Sequence, residues 1–160
     1  MKNIIYIMLT SLSLALSACH DKANDADLTN AKATIPTSFN FSKLGLKVIT
    51  SSINKKQGTM STLYGDPIAL SNAEAVSKVI APNEVLALVT WKQQADKHWF
   101  GANIPGSLQS IEMIKTISAG TVVTVHYQRF EGKDLNFHAD TLGRETRIKY
   151  ILGLHASIMP

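Results

Sequence analysis

From Phe39 onward the chain alternates short apolar runs with polar turns, and the spacing predicts strands more often than helices. Leu46, Val48 and Thr50 alternate with Lys47, Ile49 and Ser51. A polar turn follows at Asn54 to Gly58, and Thr59 to Tyr64 is a second run of β-prone residues, so the economical reading is a hairpin. The same stretch, beginning at Phe41, can also open as a helix. Asp66-Pro67 marks a helix start, because an aspartate accepts from exposed backbone N–H groups and proline lacks only an N–H that the first turn does not use. Ile68, Leu70, Ala73, Val76, Val79 and Ile80 recur at three- and four-residue intervals, which predicts a helix lying on a sheet and ended by Pro82.

Glu84 to Lys92 is the most apolar run after the N-terminus. With Val85, Leu86, Leu88, Val89 and Trp91 it can bury both faces as a central strand. A loop is expected from Gln93 to Gly106. Leu108 to Ser118 and Thr121 to Phe130 then flank Ala119-Gly120 as a second hairpin, rich in β-branched residues. Leu135-Asn136-Phe137 extends a strand, and Thr141 to Leu154 carries helix formers with Leu142, Ile148, Ile151 and Leu154. Hairpins imply antiparallel pairing. The expected class is therefore α+β, a mainly antiparallel sheet with two or three accessory helices.

The N-terminus follows another pattern. Lys2 precedes an apolar run, Ile4 to Leu16, shorter than the roughly 20 residues of a membrane span, and Leu16-Ser17-Ala18-Cys19 closes it. Small residues before a cysteine resemble the bacterial lipobox. Residues 1–18 are then a lipoprotein signal peptide, and Cys19 is the lipidated first residue, carrying palmitate among its acyl chains. Several chains at ~0.8 kcal/mol per buried methylene hold a protein stably on a membrane. The expected location is the cell envelope, facing the periplasm. In such lipoproteins aspartate directly after the cysteine favours the inner membrane; here His20 comes first and Asp21 second, which points to the outer membrane. Residues 19–38 contain few large apolar groups and read as a flexible tether, leaving 39–160 as a single β-rich domain.

Composition narrows the chemistry. The net charge of +4 is spread over scattered lysines and arginines, which does not make the clustered basic face of a nucleic-acid binder. Cys19 is the single cysteine, so there is no intrachain disulfide and no paired-cysteine metal site. There is no Gly-rich phosphate loop, no G-x-S-x-G and no H-E-x-x-H. Alternation along Thr121 to Phe130 places Thr124, His126, Gln128 and Phe130 on one face and Val123, Val125, Tyr127 and Arg129 on the other. His126 is thus either a solvent-facing histidine or a haem or metal ligand inside a cavity. His98 lies beside Trp99-Phe100 in the expected loop. That ring pair is either a staple that orders the loop, a lid over a ligand, or an exposed contact. Glu112 reads as a strand residue on a polar face, and Tyr64, Tyr127 and Tyr150 show no partner.

The segment from Thr59 to Glu112 joins a Tyr64-Gly65-Asp66 step, an Ala-containing helix and an apolar strand closing on Trp91-Lys92. It resembles the cytochrome P-460 family of haem proteins over about a third of the chain. The resemblance implies a mainly antiparallel fold, often dimeric and exported, with haem in an apolar cavity and redox chemistry on hydroxylamine or nitric oxide. The family's C-x-x-C-H attachment motif is missing here. A haem would be held non-covalently, with His126 as first candidate ligand, His155 as second, and Trp99 and Phe100 as cavity residues. Two expectations follow: an envelope-anchored haem or redox protein, or a haem-free lipoprotein that binds a small ligand or a protein partner through the loop without catalysis.

Overall fold

The computed structural model of the chain describes residues 30–132, 134–138 and 143–157; the signal peptide, Cys19 and most of the expected tether lie outside the described residues. Among the described residues six strands form one sheet: β1 (Lys47–Asn54), β2 (Thr59–Gly65), β3 (Val85–Ala95), β4 (Asn103–Ala119), β5 (Val122–Glu131) and β6 (Asn136–His138). Their order in space is their order in sequence, and every neighbouring pair is antiparallel. Helix α1 (Pro67–Glu74) links β2 to β3, helix α2 (Arg144–Gly153) follows β6, and a single 3₁₀ turn spans Ala31–Ala33. The chain is α+β and mainly antiparallel β.

Local chemistry sets the turns. Between β4 and β5 only Gly120 and Thr121 intervene, and Gly120 adopts φ +67, the left-handed backbone that such tight hairpins require. Between β1 and β2, the Asn54 carboxamide accepts from Gln57 N at 3.1 Å and donates to the Gln57 side chain at 3.1 Å. At α1, Asp66 Oδ1 accepts from Ala69 N at 2.8 Å while Oδ2 accepts from Val85 N at 3.2 Å. One carboxylate therefore caps the helix and pins it to the next strand.

Register assigns the two faces. Leu63, Leu86, Leu88 and Ile114 lie on the side covered by the helices, with Ile49 from β1, Ala69 and Ala73 from α1, and Ile151 from α2. Ala87, Val89, Trp91 and Ile111 lie on the opposite side with Phe41, Leu46 and Leu135. Strand β3 is buried on both faces, as its composition predicts. At roughly 1.5–3 kcal/mol for each fully buried large aliphatic, neither face can be left open.

Three boundaries differ from the sequence expectation. Helix α1 stops at Glu74 rather than reaching Pro82. The Asn72 side chain donates to Val79 O at 2.6 Å and accepts from Val79 N, while Lys78 Nζ reaches the carbonyls of Leu152 and Leu154, so residues 76–80 are drawn into an irregular link. Packing also begins before Phe39. Ala33 and Ile35 join the second core, and Trp91 Nε1 donates to Ala33 O at 2.9 Å, so part of the expected tether covers the sheet. Finally, half of the expected loop from Gln93 to Gly106 is strand. Ala95 pairs with Asn103, leaving only residues 96–102 as the turn.

Gly65 sits where α1 presses closest to the sheet. A Cβ there would lie 2.5 Å from Ile49 Cδ1, 2.9 Å from Ala69 Cβ and 3.2 Å from Leu86 Cδ2. Gly65→Ala is expected to cost about 1–3 kcal/mol by overpacking, read from the urea unfolding midpoint at unchanged m-value.

Candidate functional site

Strand alternation carries one acid to the helix side of the sheet. Glu112 lies opposite Leu88 on β3 and Arg129 on β5, and only 1% of its surface is exposed. An ionised carboxylate in that position is costly unless both oxygens find donors. Both do. Arg147 of α2 donates from Nε to Oε1 at 2.9 Å and from Nη2 to Oε2, a bidentate pair, and Tyr127 Oη donates to Oε1 at 2.5 Å. The guanidinium also stacks over the Tyr150 ring, 4.9 Å from its centroid. Arg147 is held more basic than usual, chiefly by its hydrogen bonds to Glu112. Burial, and then the Glu112 bond, push the Tyr127 phenol up, so it remains a neutral donor.

Beside this network the sheet and the segment around Ala31 to Pro36 border a cavity of about 1100 Å³. Its wall is polar. Thr59, Thr90, Ser107 and Ser110 supply hydroxyls, Gln57 and Gln109 supply carboxamides, and Glu112 and Arg147 close one side. Arg129 and Glu131 form an ion pair at the edge, and Lys32 and Lys92 also line the space. Among the described lining residues Arg147 is paired with Glu112 and Arg129 with Glu131, and exposed Lys92 adds positive charge, which favours a ligand carrying negative charge. Both oxygens of Glu112 already accept hydrogen bonds, and no histidine or cysteine is among the described residues lining the cavity. The arrangement can hold and orient a hydroxylated ligand.

The residues singled out from sequence lie elsewhere. His126 is exposed in mid-β5, on the face opposite Tyr127 and Arg129, paired in register with Lys115. Trp99 and Phe100 stand at the β3–β4 turn with 73% and 110% of their surface exposed, and His98 is exposed beside them. None of these lines the cavity, and the structure does not bring them together. His155 borders a separate hollow with Ala73, Glu74 and Val76, and His138 is exposed on β6. Among the described residues no three His, Cys, Asp or Glu side chains cluster as a metal site. A haem needs an apolar slot and an axial donor. The described residues lining the cavity include no histidine, cysteine, methionine or tyrosine to serve as that donor.

Glu112 was legible only as a polar strand position. The available signal was its setting in Ile111-Glu112-Met113-Ile114, where apolar neighbours on both faces leave a carboxylate no route to water.

Glu112→Gln should lower unfolding free energy by roughly 2–3 kcal/mol, below a fully buried pair because Arg147 is 35% exposed. Tyr127→Phe should cost about 1–1.5 kcal/mol. Since the folded phenol titrates above its ordinary 10.0, its contribution is complete below that value and is lost as pH rises through the folded pKa. Urea midpoints measured from pH 8 upward should therefore fall less steeply above pH 10 in Tyr127→Phe than in the parent, with raised Tyr64 accounting for part of the remaining fall. No family model matches the chain, and no curated protein matches it.

Proposed function

We propose that this chain is a membrane-anchored envelope lipoprotein, acylated at Cys19 and facing the periplasm from the outer membrane, that binds a hydroxylated acidic small molecule or glycan without catalysis. The observation that carries the reading is the cavity of about 1100 Å³ whose wall combines hydroxyls, carboxamides and the exposed cation Lys92 around the Glu112–Arg147 pair. That wall is prearranged: Arg147 is fixed by Glu112 and Tyr150, so little side-chain freedom remains to be lost on binding.

The cytochrome P-460 resemblance enters here as a statement about architecture. The antiparallel sheet agrees with its coarse outline. In our reading the chain is a haem-free relative, because the donor set around the cavity suits polar ligands and His126 faces away from it. A redox role would instead require haem seated on His126, with Trp99 and Phe100 closing over it.

Glucuronate, glucose and haemin distinguish these readings. Glucuronate should bind in the millimolar range expected for so small a ligand, at about −4 kcal/mol, and glucose more weakly. Lys92→Gln should weaken glucuronate binding several-fold while leaving the unfolding midpoint in place, since Lys92 is exposed. Calorimetric titration checks both. A stoichiometric Soret band on adding haemin, abolished by His126→Ala, overturns the reading.

A further inference from the structure

The turn that closes β3 and β4 is ordered, yet its two rings face outward. Asp96 N donates to Ala102 O at 3.0 Å, Ala102 N to Trp99 O at 3.1 Å, and His98 N to Asp96 Oδ1 at 2.7 Å, with Gly101 at φ +80. This frame needs neither ring: Trp99 is 73% and Phe100 110% exposed. They neither staple the turn nor cover the cavity, so another surface must account for them.

Register shows what shares that end of the sheet. Asn54 pairs with Thr59 and Thr59 with Lys92, and Gln93 N donates to Gly58 O at 2.8 Å, so the β1–β2 turn sits beside the β3–β4 ribbon. Across residues 55–58 and 92–101 there are four lysines, Lys55, Lys56, Lys92 and Lys97, all exposed, against one carboxylate, Asp96. The 3₁₀ turn at Ala31–Ala33 reaches the same ribbon, where Trp91 bonds Ala33. A second exposed apolar group, Ile68, Val76, Val79 and Ile80, belongs to α1 and the link after it, at the opposite end of the strands.

We propose that the β3–β4 turn, flanked by the lysine-bearing β1–β2 turn, docks on an anionic lipid surface, with Trp99 and Phe100 entering the headgroup–acyl boundary. Tryptophan and phenylalanine beside basic residues suit that boundary, where rings meet acyl chains and lysines meet headgroup phosphates. The length of chain before the packed unit agrees. The twelve residues from Cys19 to Asn30, before the unit that starts at Ala31, span at most about 43 Å when extended, so an acylated Cys19 holds this end within reach of the bilayer. The reach argument rests on acylation of Cys19; the rings and lysines stand without it.

The test uses the full chain in vesicles of phosphatidylethanolamine with phosphatidylglycerol, some of the lipid brominated high on the acyl chains. Tryptophan emission should be quenched severalfold more than with unbrominated lipid. Trp99→Phe should abolish that difference, because the remaining Trp91 is buried. Lys55→Glu with Lys56→Glu should weaken insertion, each lost lysine being worth about fivefold at an anionic surface. If Trp99 stays as open to aqueous iodide with vesicles as without them, or is shielded by raising protein concentration alone, the proposal is overturned, the second result assigning the turn to contact between copies. Mass analysis of Cys19 separates the two ideas. An unacylated chain whose Trp99 is quenched by bromolipid keeps the docking turn and removes the anchor, whereas an acylated chain with a wet Trp99 keeps only the anchor.

Discussion

Everything in this molecule answers to one constraint: the segment Val85 to Trp91 is apolar on both sides and must be covered twice. The helix side is met by α1 and α2, which bring Ala69, Ala73 and Ile151 onto Leu86 and Leu88. On the other side no α-helix of the described residues takes part. That side is closed by the irregular chain before β1, whose Ala33, Ile35, Phe39 and Phe41 lie on Ala87, Val89 and Trp91. A six-stranded meander alone would have left half of β3 in water, so the N-terminal segment is as much a part of the fold as a strand.

The double burial also explains why the polar chemistry concentrates where it does. On the helix side the aliphatic layer ends at Leu88, and the next register row is Thr90 with Ser61 and Ser110, hydroxyl against hydroxyl at 3.0 Å for the first pair. Glu112 stands at the boundary between the two zones. Its charge is buried like a core residue's but compensated by Tyr127 and by Arg147, which also borders the cavity, so the pair anchoring α2 to the sheet also shapes part of the cavity wall. A buried bidentate pair contributes little net stability compared with an apolar isostere, and what it fixes is geometry.

Local features were the most legible from sequence. The Asp66-Pro67 helix start, the Gly120 hairpin, the two-faced β3 and the alternation of Thr124 through Phe130 all follow from backbone or periodicity rules that act within a few residues. Features set by residues distant in sequence were not. The end of α1 depends on Lys78 meeting Leu152 and Leu154, some 75 positions away. The Glu112 site joins β4, β5 and α2 through partners 15 and 35 residues apart. Trp91 was readable as core because burial is written in its strand; the outward aim of Trp99 was not, because it depends on how tightly a seven-residue turn closes.

The contact of the C-terminal tail with the first strand has a further consequence. Ser157 N donates to Ile49 O at 3.2 Å, its hydroxyl meets Thr50 Oγ1 at 2.7 Å, and Ala156 N reaches Ala73 O. Strand β1 is the outer edge of the sheet, and these bonds occupy part of a row of groups that another chain could otherwise pair with. The meander can assemble hairpin by hairpin, but this part of its first edge is covered only by residues about a hundred positions further along the chain. Until Ala156 and Ser157 dock, that stretch of β1 stays open as a template for strand-to-strand self-association.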